Sequence, residues 1–281
     1  MEIVFHIGAH CTDEGLLVRS LRLNSRSLES DGILVPPPKT YFSVLRDAMR
    51  RYEGDVPDKE TRGAILEAML NGREGRRVVL SHENLIAFAP FVFAKKDFYS
   101  RIGDKARWLR NLFPDNPVEF HIGLRDPASL VPAIYRRKKD SVDAASFSNS
   151  INLESLSWHA VLRDLQEGVP DCPIVAWCNE DTPLTWPEIL QAVTDHEPDL
   201  KLENSDGVLK TLLSEEGVRR MRGFLDTNPP KSVKQRRQIA LAFFDKYGDL
   251  DVLQEDVELP GWNEVITDAP VSYTHLRAHE T

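Results

Sequence analysis

Residues 1–21 read MEIVFHIGAHCTDEGLLVRSL, and the fold turns on how this stretch is read. Residues 1–8 alternate and are rich in β-branched side chains, which predicts a strand. Residues 13–31 carry Leu16, Leu17, Leu21, Leu23 and Leu28, which suits a helix with one apolar face. Between them lies a tight turn, His10-Cys11-Thr12-Asp13-Glu14. A strand, a short turn and a helix N-terminus form a natural anion site, because the first amides of a helix have no partner within it. A plainer reading also accounts for the turn: Thr12 is a good N-cap, and Asp13 and Glu14 suit a first helical turn. The pattern GxxxxGK[ST] is absent, so an ordinary nucleotide triphosphatase is not expected.

The same alternation continues downstream. Apolar runs at 33–35, 78–80, 118–124 and 174–177 predict buried strands. Helical patterns are read at 41–52, 59–71, 97–113, 127–138, 153–167 and 185–194, and beyond residue 200 at 206–226 and 231–247. Residues 139–152 are polar and serine-rich and read as a mobile loop. Strands alternating with helices imply an α/β domain over 1–200, its mainly parallel sheet covered on both faces. Residues 201–270 read as a helical extension packed on the same domain. In such sheets ligands sit at the carboxyl ends of the strands. That rule selects His10–Glu14, Ser81–Asn84, Arg125–Ser129 and Asn179–Asp181.

Composition narrows the function classes. Among 281 residues the net charge is −9, which argues against general nucleic-acid binding, since that needs a basic face. No apolar run approaches the ~18 residues of a membrane helix. Glu2 and His6 interrupt any secretory leader, and Cys11, Cys172 and Cys178 form no CxxC, so a cytoplasmic protein with reduced thiols and no metal site is expected. The last eleven residues, VSYTHLRAHET (271–281), resemble the forward translation of a transposon adapter used in sequencing libraries. They are read as a non-native, disordered tail, and His275 and His279 as no metal ligands.

The segment HIGAHCT resembles the loop of bacterial sulfotransferases that use the donor PAPS, where His-Ile-Gly is followed by Pro-Lys-Thr-Gly-Thr. His6, Ile7, Gly8, Ala9 and Thr12 match. His10 stands in the proline's place, Cys11 in the lysine's and Asp13 in the glycine's. The resemblance implies a P-loop-type three-layer α/β/α fold and a phosphosulfate cradle made by Ala9, His10, Cys11 and Thr12. Cys11 cannot neutralise the donor as a lysine does. A carboxylate at Asp13 held ~4 Å from a phosphate costs about 4 kcal/mol at an effective dielectric of ~20. One amide hydrogen bond to a charged group returns only about 1.5–3 kcal/mol. A carboxylate turned away would cap the helix instead.

Two further segments extend the resemblance. Arg125-Asp126-Pro127 follows a strand and opens a helix, where the family places an arginine for the donor's 3′-phosphate. The family's serine falls at Ala133 here, and Ser129, one helical turn earlier, is the nearest substitute. Tyr135 and the run Arg136-Arg137-Lys138-Lys139 supply further phosphate-seeking groups. Ser81-His82-Glu83 resembles the Ser-x-Glu of bacterial members, which implies Glu83 as the base that takes the acceptor hydroxyl's proton, with His82 second. The expected activity is sulfuryl transfer from PAPS, or a related phosphorylated donor, to a hydroxyl of a small molecule or glycan. The alternatives are a catalytically inactive binding module on the same fold and a phosphotransferase using another nucleotide. Acceptor specificity is expected in the loops at 36–42, 86–98 and 139–152, with Phe88, Phe91, Phe93, Phe98 and Tyr99 as candidate lining.

Overall fold

The computed structural model describes residues 1–197 and 200–248, together with Leu259 and Trp262. Five apolar segments form strands: β1 (Glu2–His6), β2 (Ile33–Leu34), β3 (Arg77–Ser81), β4 (Val118–Leu124) and β5 (Ile174–Cys178). All pair in parallel, in the order β2-β3-β1-β4-β5. Side chains alternate between two cores, one on each face of the sheet. Ile3, Phe5, Val78 and Leu80 enter the larger core, while Val4 and Val79 enter the smaller.

Helices α1 (Leu16–Leu23) and α2 (Ser25–Ser30) carry the chain from β1 outward to β2 and cover the smaller core. The return runs over the other face. Helices α3 (Pro38–Tyr52) and α4 (Lys59–Leu70) link β2 to β3, and α5 (Ile102–Asn111) links β3 to β4. Then α6 (Pro127–Arg136), α7 (Ala144–Asn149) and α8 (Trp158–Gly168) lead to β5. Opposite directions of travel on opposite faces are what a uniform crossover hand requires. Helix α9 (Thr182–Thr194) follows β5 and returns to the smaller core through Trp186, Ile189 and Leu190. The fold is thus α/β, with helices on both faces of an all-parallel sheet. Helices α10 (Gly207–Thr211), α11 (Glu215–Thr227) and α12 (Val233–Tyr247) form a small cluster of their own, tied to α9 by Arg236 on Glu188 at 2.7 Å.

Two expectations are corrected. The helix read over 13–31 is two helices, because Asn24 breaks it. Its amide donates to the carbonyls of Ser20 and Glu203, and its Oδ1 accepts the Glu203 amide at 2.7 Å. The segment 139–152 is not simply a loop. Asp143 caps α7 through the Ser146 amide, and Phe147 anchors it in the larger core against Phe93 and Tyr135. One buried aromatic and one cap outweigh the serine-rich composition. The reading of 201–270 falls partly, and that of 271–281 wholly, outside the described residues.

Candidate functional site

The chain leaves β1 toward one edge of the sheet and leaves β4 toward the other. The crevice between their carboxyl ends is therefore the switch point at which open parallel sheets bind ligands. The turn after β1 and Arg125 after β4 meet there, with Glu83 after β3 alongside. Gly8 is what lets them approach. Its φ is +107°, and a Cβ on it would stand 3.6 Å from the Glu83 Cα and 3.3 Å from the His10 amide nitrogen.

The turn is held from within. The Ala9 amide donates to the Gly123 carbonyl at 2.7 Å, and the His10 amide to the Tyr99 hydroxyl at 3.1 Å. The expected anion cradle therefore lacks its first two donors. Thr12 donates its hydroxyl to the Ala9 carbonyl at 2.7 Å. Asp13 turns its carboxylate onto the first turn of α1, accepting the Leu17 amide at 2.8 Å. This is the capping arrangement, and it sets a negative charge at the positive end of the helix, where a phosphate would otherwise lie. Within the turn, the amides of Cys11 to Gly15 have no hydrogen bond among the described residues. Cys11 and Glu14 take left-handed φ values of 56° and 48°, which cost a non-glycine residue about 1–2 kcal/mol each.

Cys11 points into the larger core, and burial pushes its thiol up to about 11, so at neutral pH it stays uncharged. Its carbonyl accepts from an Arg125 terminal nitrogen. The Arg125 Nε donates to the Ser129 hydroxyl at 2.9 Å, and the Arg125 carbonyl accepts from the buried Trp158 indole at 2.7 Å. Ser129 thus orients the guanidinium. Trp262 lies over the start of α6, donating its indole N–H to the Ala128 carbonyl at 3.0 Å.

Glu83 is held by Arg137, whose other nitrogen holds Glu14. Both contacts are 2.7 Å. These two carboxylates raise the arginine's own proton affinity, against the opposing effect of its burial. Only Oε1 of Glu83 is engaged, and Oε2 keeps no hydrogen bond among the described residues. His82 is placed for a structural task. Its Nδ1 accepts the Asn84 amide at 3.0 Å and its ring stacks on Phe42 at 3.9 Å. With Nδ1 accepting, the neutral ring carries its proton on Nε2, and burial lowers its affinity for a second. His10 is buried and neutral as well, its affinity lowered by desolvation. Its ring bridges the Tyr99 hydroxyl at 2.8 Å and the Asn84 Oδ1 at 3.1 Å, pinning the turn to the neighbouring wall.

That wall belongs to a cavity of about 320 Å³. Asn84 and Tyr99 are shared between turn and cavity, and Phe42, Phe88 and Phe91 form apolar sides. Phe93 and Phe98, also expected as lining, are buried core residues packed on each other. Sequence reasoning did not find the cavity's cationic rim, Arg46, Arg50, Arg101 and Lys105, nor the pairing of Arg137 with Glu83. The i, i+4 spacing of each basic pair was visible, but nothing local said that the two helices face one cavity.

The geometry defines a parallel three-layer α/β protein with a crevice at the β1/β4 switch point. It does not fit PAPS. The lysine position is a buried neutral thiol, two cradle amides are engaged, a carboxylate already occupies the helix end, and Glu14 adds a second negative charge. No protein-family model matches the chain. No curated protein matches it. Among solved structures the chain is similar to the crystal structure of a sulfotransferase from Alicyclobacillus acidocaldarius. The identity is 12% over 90% of this chain and 98% of that one, with a TM-score of 0.41. A likeness this distant says nothing of activity. No described helix is long and apolar enough to cross a membrane, and the described residues contain no group of three side chains able to hold a metal ion.

Proposed function

We propose that this chain is a small-molecule- or glycan-binding protein on a sulfotransferase-like fold, with the ligand pocket kept and the phosphosulfate loop closed. The observation that carries the reading is the Asp13 carboxylate on the Leu17 amide, which fills the helix end with the protein's own negative charge. Arg137 is likewise engaged, its single positive charge set against the carboxylates of Glu14 and Glu83, so this side of the crevice offers a polyanionic donor little net attraction. The test is thermal denaturation with millimolar adenosine 3′,5′-bisphosphate, the desulfonated donor product. The natural chain is expected not to respond, and the double variant C11K/D13G to be stabilised. Stabilisation of the natural chain overturns the reading.

One observation favours the second reading, sulfuryl transfer to an acceptor hydroxyl. Glu83 stands against the turn with Oε2 unengaged, as a base facing an acceptor would. Incubation with sulfur-labelled PAPS and a panel of hydroxylated acceptors decides it, since label transferred by the natural chain but not by Glu83→Gln establishes catalysis. A parallel incubation with γ-labelled nucleoside triphosphate exposes phosphoryl transfer.

A further inference from the structure

The cavity beside the turn has a composition that the strand-end chemistry does not explain. Its sides are apolar, from Phe42, Leu85, Ile86, Phe88 and Ile102, yet four cations stand around it. They come in two pairs, each at i, i+4 spacing. Arg46 and Arg50 lie on α3, and Arg101 and Lys105 lie at the start of α5, which packs against α3. Residues at that spacing share a helix face. The nearby acids are fewer. Asp47 reaches Arg46 at 3.7 Å, Asp104 reaches Arg101 at 4.0 Å, and Glu53 follows α3. Arg50 makes no ion pair among the described residues. A chain of net charge −9 has thus gathered positive charge around an apolar cavity.

Gathering these cations works against folding. Lys105 lies 3.6 Å from the Trp108 ring centroid, with Arg101 5.1 Å from the same centroid, so two cations stand against one aromatic ring. Burial and the neighbouring Arg101 both disfavour the ammonium there. Such an arrangement is stabilised when an anion arrives between the cations. The cavity volume of about 320 Å³ sits at the small end of ligand pockets, which run from about 300 to 1,000 Å³. It suits one ring system or a short acyl chain.

We infer that this cavity binds a compact apolar monoanion, a short acyl chain or ring bearing one carboxylate or sulfate, with its anionic head between Arg50 and Lys105 and its body against Phe42, Phe88 and Phe91. The inference rests on the reading that the crevice and its adjoining cavity take a small molecule, and it names that molecule's chemistry. The body would lie against the Asn84–Tyr99 wall, so the ligand is held beside the turn without entering the loop.

Isothermal titration of the whole chain with octanoate, octyl sulfate and octanamide tests it. Both anions are expected to bind at least about tenfold more tightly than octanamide, and their ratio assigns the head group. In R50Q/K105Q, which alters only rim residues, the anions should fall to the octanamide level while octanamide is unchanged. Ala94→Trp, which fills the cavity, should abolish all three. Equal binding of octanoate and octanamide, no binding of any probe at millimolar concentration, or unchanged octanoate affinity in R50Q/K105Q overturns the inference. The bisphosphate titration is a separate measurement, so loss of octanoate binding with the chain still silent to bisphosphate removes this inference alone.

Discussion

Replacing Asp13 separates two roles that one carboxylate plays. Its Oδ2 accepts the Leu17 amide at 2.8 Å, and α1 has no other cap, since Gly15 at the N-cap position has no side chain and the first turn holds no acid. Losing a capping side chain costs about 1 kcal/mol, within a range of roughly 0.5–2. Losing a charge from the positive end of the helix adds about 0.3–1 kcal/mol. Asp13→Ala should therefore destabilise by about 1.5–2 kcal/mol, a fall in Tm of about 3–8 °C for a chain of this size. Asp13→Asn keeps an acceptor and loses the charge, so most of the stability should remain. Both variants should gain affinity for anions, because a unit charge some 4 Å away is worth up to about 4 kcal/mol before salt screening. The assay is a Tm series against sulfate and adenosine 3′,5′-bisphosphate at fixed ionic strength. Asp13→Ala should start lower and climb with ligand, Asp13→Asn should start near the natural chain and climb as far, and the natural chain should stay flat. If the natural chain and Asp13→Asn respond alike, the carboxylate is not what closes the loop and the argument fails.

Other changes probe neighbouring contacts. Arg137→Met leaves Glu14 and Glu83 unpaired beside each other, and a double-mutant cycle with Glu83→Gln should show a coupling of about 0.5–1 kcal/mol in urea denaturation, as half-exposed ion pairs give. Trp158→Phe removes the buried indole donor to the Arg125 carbonyl, and should cost about 1–3 kcal/mol with unchanged far-ultraviolet circular dichroism. Burial, helped by Arg101, pulls the Lys105 ammonium down to about 8, below its ordinary 10.5. Between those values the unfolded chain binds the extra proton, so stability should rise with pH from about 8 to 10.5. That rise should be absent in Lys105→Met when Tm is followed across the window. The acids Asp104 and Glu53 and the cations Arg50 and Arg101 surround the group and are present in both proteins, so their titration cancels in the difference.

Much of the architecture was legible because it rests on local patterning. Val118–Leu124 is β4 with the bounds its apolar run suggests, and the remaining strands differ by a residue or two at their ends. Alternation of strand and helix sufficed for a parallel sheet, and the strand-end rule placed the turn, Glu83 and Arg125 at one edge. Asn24 and Phe147 were misjudged because a helix break and a helix anchor depend on partners far away in the chain, Glu203 and the larger core.

The sequence by itself also showed that Cys11 and Asp13 stand where the loop it resembles has a lysine and a glycine, and it left open whether such a loop still binds PAPS. It likewise left open whether Asp13 faces a ligand or caps the helix. Only the tertiary structure decided that, because the answer depends on the turn's φ values and on which amides β4 and Tyr99 have already taken. The pairing of Arg137 with Glu83 and the meeting of Arg50 with Lys105 around one cavity were equally out of reach. Helical spacing fixes which side chains share a face of one helix. Which faces of two helices come together is set by the packing of the whole core, which no local pattern encodes.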